Sequence, residues 1–216
     1  MKRNEARLTK EVRAFTHYNR YKKGIMLLND PIGAKVILEL LPLCMHINHP
    51  DLPGYMGDKG CPSGVKTMEW PHETLQELGT YLSARVNLMV LQDHVPRHRE
   101  IESLITIGSV GSVGQTRDSD YDIWVVVDTA AVGMARRRLL ECKLRLLEKW
   151  ITGNYLKEVH FFLMDIHDIV ANNFGMVSQE GSGSAQKNLL KEEFYRTMTL
   201  VEGRIPLWWV IPASGE

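Results

Sequence analysis

The chain of 216 residues has no excess of charge, no paired cysteines and no long apolar run. Lys and Arg together number 26, and so do Asp and Glu. No net field therefore holds a polyanion, and a nucleic-acid partner is not implied. Cys44, Cys61 and Cys142 lie far apart and form no C-x-x-C pair, which is the pattern of reduced thiols and not of a disulfide framework or a zinc site. No apolar stretch approaches the ~20 residues of a membrane span. The start MKRNEARLTKEVR lacks the apolar core of a signal peptide. These absences predict a cytoplasmic protein with no membrane partner. The length predicts one catalytic-size unit over 1–216, and no internal repeat is visible.

In what is present, helices come first. Leu8, Val12, Phe15, Tyr18 and Tyr21 recur at three and four residues and predict an amphipathic helix over Glu5–Leu28. After Asn29-Asp30-Pro31, Ile32–Met45 reads as a core helix, so 1–45 is helical. Residues 46–66 change to Pro, Gly and polar residues, which predicts a long loop acting as a lid or substrate-side wall, with Tyr55 either stacking on a ligand or anchoring the loop. His46 and His49 lack a third ligand and do not make a metal site. Over 71–216 the patterns predict a helix over Pro71–Leu91, a strand over Ser103–Ile107, a turn at Gly108–Gln115 leading into a short helix, and a strand over Asp122–Val127. Beyond them come a helix over Ala130–Ile151, a strand over Leu156–Met164 and a helix over Gln186–Val201. Arg136-Arg137-Arg138 reads as a solvated face, with a phosphate contact as the rival. Trp208 and Trp209 in the tail either pack back or meet a continuation of the chain.

The chemistry concentrates in Ile107–Val127, IGSVGSVGQTRDSDYDIWVVV. Side chains two apart on a strand share a face, so Asp120 and Asp122 converge. Paired carboxylates suit Mg²⁺, which completes its octahedron with water and phosphate oxygens. Gly108 admits a phosphate close to the backbone, while Ser109 and Ser112 add hydroxyl donors beside N–H groups at a helix start. Metal on one side and donors on the other outline a nucleoside-triphosphate site for in-line attack on the α-phosphorus. A third carboxylate is expected near the metal. Glu158 and Asp165 compete for that role; being seven apart they cannot both serve, and Glu158, at a strand end, is preferred. The fold expected is α/β (α+β) of the nucleotidyltransferase type, a small mixed sheet with helices packed mainly on one face.

Gly108-Ser109, Ser112-Val113-Gly114-Gln115, Ser119-Asp120 and Asp122-Ile123-Trp124-Val125 resemble the active-site stretch of the class I adenylate cyclases of bacteria. Further segments agree in order: His49-Pro50, Leu52-Pro53-Gly54-Tyr55, Glu158-Val159, Phe161-Phe162-Leu163, Gly183-Ser184 with Gln186, and Glu193-Phe194-Tyr195-Arg196-Thr197. The resemblance implies conversion of ATP to cyclic AMP and pyrophosphate with Mg²⁺, with metal on Asp120 and Asp122 and phosphates on Ser109 and Ser112. Arg196 and Lys187 would neutralise phosphate charge, the rival for Arg196 being a surface pair with Glu193. The family is much longer, which implies a C-terminal regulatory region outside this chain. Two alternatives stand beside the cyclase: a nucleotidyltransferase with a separate acceptor, and an inactive nucleotide-binding module.

Overall fold

The computed structural model describes residues 2–70, 75–82, 90–171, 173 and 192–206, and their side chains except at residues 2–7, 75 and 76. Helix α1 (Lys2–Asn29) is followed by Asp30, whose carboxylate accepts from the Gly33 N–H at 3.2 Å and so caps α2 (Pro31–Lys35). Pro31 occupies the first turn of α2, where its missing N–H costs nothing. A π-helical turn (Val36–Leu40) then leads into α3 (Leu41–His46). Pro42 lacks an N–H and crowds the carbonyl four residues back, so the turn before it widens, and the Leu41 N–H reaches Val36 O.

The predicted loop is real, but it is a strap and not a lid. Asn48 brackets Met56 with two hydrogen bonds, Lys143 Nζ donates to Asn48 Oδ1 and Gly54 O, and Val65 bridges Ile101. These contacts fasten the loop to the far end of the sheet, away from Asp122; Tyr55 is exposed. The helix predicted over 71–91 is described only as α4 (Leu75–Thr80) and a 3₁₀ turn (Val90–His94); 71–74 and 83–89 lie outside the described residues. Beyond Gly79-Thr80 the Tyr81 and Leu82 N–H groups bond three residues back, and the helix ends there.

The sheet has the order β3-β2-β1-β4. β1 (Ile101–Ile107) pairs antiparallel with β2 (Tyr121–Val127), placing Ile107 opposite Asp122. After β2, Asp128 caps α5 (Thr129–Val132), and α6 (Met134–Tyr155) returns the chain to β3 (Val159–Asp165), parallel to β2 with Asp122 opposite His160. A short α7 (Ile166–Val170), a helix over 192–197 (α8) and β4 (Thr199–Gly203), antiparallel to β1, complete the described chain. The expected third strand thus begins later, because Leu156 takes a left-handed conformation (φ 53°) to end α6. Of the helix expected over Gln186–Val201, 186–191 lie outside the described residues and 192–197 are helical, but from Thr199 the chain forms β4, since the open edge of β1 offers hydrogen bonds to the β-branched Thr199 and Val201.

Alternation along β2 creates two cores. Tyr121, Ile123, Val125 and Val127 face the larger one with the helical segment 31–46 and with α6. Trp124 and Val126 face the smaller one with Phe194, Met198, Ile169 and Phe15. The sheet is mixed and most helical surface lies on one face, as expected. Helix α1 clasps the segment 197–201: Asn19 exchanges two hydrogen bonds with the Leu200 backbone, Lys22 Nζ donates to the Thr197 and Met198 carbonyls, and Lys23 Nζ donates to Val201 O. Burial pulls the Lys22 ammonium down to about 8. Cys44, Cys61 and Cys142 are free thiols, and among the described residues no helix is long and apolar enough to cross a membrane.

Candidate active site at the β1–β2 turn

β1 ends at Ile107, and Gly108 takes φ +86°, a conformation that favours glycine because no Cβ clashes. Successive turns, not the expected short helix, occupy 108–119. Ser and Gly hold those turns through their own side chains and backbone. The Ser112 hydroxyl donates to Ser109 O (2.6 Å) and accepts from the Gly114 N–H (3.1 Å); the Ser109 hydroxyl donates to Ser119 Oγ (3.0 Å), which accepts from the Thr116 N–H (2.9 Å); and the Gly111 N–H donates to Gln115 Oε1 (2.8 Å). These hydroxyl and N–H donors are thus engaged within the turn, and an anion is received there only by exchange of such bonds, without help from a helix dipole.

Asp120 is exposed just before β2, and Asp122 is partly buried in its second position. An added Cβ at Gly108 would lie 3.7 Å from Asp122 Oδ2, so that carboxylate borders the turn. Among the described residues no donor reaches either carboxylate. Burial raises the Asp122 pKa, His160 opposes the rise, and Asp120 and Glu158 add to it.

Glu158 lies one residue before β3, not on it, and its O accepts from the Tyr121 N–H at 2.9 Å. Its carboxylate converges with Asp120 and with His160, one ligand atom from each lying within 4.8 Å of the others. Asp165 does not: it sits opposite Val127 at the far end of β3. There, burial notwithstanding, hydrogen bonds from the Thr129, His167 and Asp168 N–H groups hold its carboxyl below the usual range, and it caps α7. His160 escaped the sequence reading. The available signal was the spacing Glu158-x-His160, which repeats that of Asp120-x-Asp122 and shares a face with it once β2 and β3 run parallel.

The α8 helix braces the turn. The Gly108 N–H donates to Thr197 Oγ1 (3.0 Å), and Phe194 stacks on Trp124 at 4.9 Å between ring centroids. Arg196 is 78% exposed and pairs with Glu192 at 3.5 Å, not with Glu193. Lys187 lies outside the described residues, as do Trp208 and Trp209. The arginines of α6 are not a plain solvated face: Arg136 grips Glu100 and Gly60 O, and Arg137 grips Glu141 and Leu163 O. A further cavity between α6 and β3, lined by Arg137, Leu144, Leu163 and Asp165, does not include Asp120 or Asp122.

A family model described as the adenylate cyclase NT domain matches residues 7–209. The adenylate cyclases of Salmonella typhimurium, Escherichia coli (strain K12) and Yersinia pestis are 38%, 37% and 35% identical to the chain. Each match takes in 83% of this chain and 21% of the relative. The chain therefore spans about a fifth of the length of the curated relatives it matches. No solved structure matches it.

Proposed function

The chain belongs to the adenylate cyclase N-terminal domain family, and on that premise we propose that its site converts ATP to 3′,5′-cyclic AMP and pyrophosphate with Mg²⁺. The observation that carries this reading is the meeting of Asp120, Asp122 and Glu158 beside the Gly108-Ser109 turn. Asp120 and Asp122 meet no donor among the described residues, and burial and like charge disfavour ionisation of Asp122, a setting that fits a hard divalent cation. When bound, the ion supplies positive charge that offsets the triphosphate and favours loss of the hydroxyl proton.

Asp120 and Asp122 hold the cation, and the Gly108, Ser109 and Ser112 turn receives the phosphates as its hydroxyls exchange their bonds within the turn for phosphate oxygens. Arg196 reaches phosphate from α8 by exchanging its exposed partner Glu192 for the ligand, and Lys187 is assigned the same task. Glu158 is the third carboxylate and takes the proton of the ribose 3′-hydroxyl. The 3′-oxygen then bonds to the α-phosphorus as the bond to the bridging oxygen breaks, and pyrophosphate leaves. Three free thiols are in keeping with a reducing compartment, and we assign the reaction to the cytoplasm. Regulation is assigned to the part of the family's length that this chain does not span.

The test is mass spectrometry of products after incubation with ATP or GTP and Mg²⁺ or Mn²⁺. Cyclic AMP from the wild type, lost in Asp120→Asn and Asp122→Asn with the circular dichroism unchanged, is the expected result. A labelled acceptor without cyclic AMP would move the reading to a transferase, and neither product would leave a nucleotide-binding module.

A further inference from the structure

Lys22 on α1 is only 2% exposed, and among the described residues its ammonium forms no ion pair. A buried charge is costly unless it is paired, and here the compensation is incomplete. Two of the three ammonium donors go to the Thr197 and Met198 carbonyls, and the Tyr18 ring lies 5.6 Å away. The neighbouring elements bring no anion to it. On α1, Lys23 donates to Val201 O and feels the charge of Glu202 on β4. On α8, Glu193 is exposed and Glu192 pairs with Arg196 at the surface, and residues 108–116 of the turn carry no charge.

What Lys22 does meet is the back of the Gly-Ser turn. Thr197, whose carbonyl it holds, accepts from the Gly108 N–H through Oγ1 at 3.0 Å. Gly111, at φ +74°, packs directly on the lysine: an added Cβ would lie 3.3 Å from Lys22 Cβ and 3.4 Å from Lys22 O. We propose that Lys22 is a positioning residue whose buried charge draws the triphosphate to the turn from behind, so that nucleotide binding and protonation of Lys22 favour each other. The inference rests on the phosphate role assigned to the turn under the cyclase reading.

This differs from a merely structural clasp. A charge in low-dielectric surroundings acts over a longer distance than one in water, so an ammonium one residue behind the turn offsets phosphate charge without touching it. The effect also runs in the other direction. Burial pulls Lys22 down to about 8, and phosphate charge nearby favours the protonated form and raises that value. By reciprocity the folded protein takes up protons as nucleotide binds near pH 8. A neutral amine still has donors for both carbonyls, so at alkaline pH the clasp persists while the attraction fades.

The experiment uses the full chain with Mg²⁺ and 3′-deoxy-ATP, which lacks the attacking hydroxyl and so binds without turnover. Calorimetric titration at pH 8 in two buffers of different ionisation heat reads the protons exchanged, and carbon-13 NMR of the Lys22 ε-carbon reads the group itself. The expected result is uptake of about 0.4 proton per nucleotide, with the Lys22 midpoint raised by about one unit, a tenfold change in proton affinity. In Lys22→Met, which keeps the apolar stem, the uptake disappears and affinity at pH 7 falls about tenfold, whereas at pH 10 the two proteins bind alike. Loss of a structural contact alone would weaken binding equally at both pH values and overturns the proposal. So do binding without proton uptake, a Lys22 midpoint unmoved by nucleotide, uptake that survives in Lys22→Met, and no nucleotide bound at all. The wild-type readouts decide the matter where Lys22→Met does not fold. The cyclase reading fails separately: proton uptake on binding by a protein that makes no cyclic AMP from ATP sinks that reading alone, and cyclic AMP formation without uptake sinks this one alone.

Discussion

The Tyr121 hydroxyl donates to Asp30 Oδ2 at 3.0 Å, across the boundary between the N-terminal helices and the sheet. The same oxygen lies 2.9 Å from Lys157 Nζ. Tyr121 separates Asp120 from Asp122 and Lys157 precedes Glu158, so a single helix-capping acid fixes the backbone on both sides of the candidate site. Burial and the neighbouring Asp30 carboxylate push the Tyr121 phenol up, out of the range where it ionises. The hydroxyl therefore serves as a donor.

Tyr121→Phe removes that donor and leaves Asp30 to Lys157 and the Gly33 N–H. A hydrogen bond to a charged group contributes about 1.5–3 kcal/mol, and urea denaturation should show a loss of about 2 kcal/mol with an unchanged slope. The Tyr121 side chain faces the larger core and Asp122 the other side. Mn²⁺ affinity should accordingly stay within about twofold, and a large loss would show that the capping acid also shapes the cation site.

Asp122→Asn should raise the melting temperature of metal-free protein at neutral pH by a few degrees while abolishing cyclic AMP formation. A carboxyl whose folded pKa lies above its unfolded value weakens the fold once ionised. The gain over wild type should shrink as pH falls through the folded pKa toward the unfolded value and the wild-type carboxyl takes its proton. Scanning calorimetry across pH reads both signs; an unchanged or lowered melting temperature contradicts the repulsion.

His46 carries an acid-side prediction. Its ring is 1% exposed, its Nδ1 accepts from the Val65 N–H at 3.0 Å, and burial, assisted by the Arg99 charge, lowers its pKa from 6.5 to about 4. Between those values the unfolded chain binds the proton and the folded one does not, so stability falls as pH drops from 6.5 toward 4 and levels off below it. The loss from this group reaches about 3 kcal/mol. His46→Asn, which keeps an acceptor for Val65, should flatten that part of the denaturation curve.

Arg136→Lys should loosen the strap that follows α3 without disturbing the sheet. The guanidinium meets both Glu100 oxygens at 2.5 and 2.7 Å and Gly60 O at 2.7 Å, and an ammonium cannot reproduce that fork. The pair is partly exposed, so the expected global cost is only about 1 kcal/mol. Hydrogen exchange should quicken at Cys61 and Glu100 while β2 amides keep their protection.

The motif residues were legible because strand alternation is local: Asp120-x-Asp122 before a β-branched run leaves few other arrangements, and Gly108 marks a turn by its chemistry. The resemblance of the stretch also pointed to the family that the comparisons bear out. What stayed hidden depended on partners distant in sequence. Nothing near His160 announces that β3 will lie parallel to β2, and nothing near Thr199 announces an open edge on β1. Asp165 illustrates the same limit from the other side, since its place at the far end of β3 follows from register and not from its neighbours.

The clasp between α1 and the segment 197–201 also bears on the order of synthesis. Phe194, which covers Trp124, follows it by 70 residues. At ~5–20 residues per second the β1–β2 hairpin leaves the ribosome roughly 4–14 s before its cover arrives. Throughout that interval Trp124 and Val126 have no α8 above them, Lys22 and Asn19 wait for carbonyls not yet made, and Gly108 has no Thr197. The acids of the site are thus translated early and fixed late, and the nascent chain offers a chaperone its apolar second face before it can offer a nucleotide a finished site.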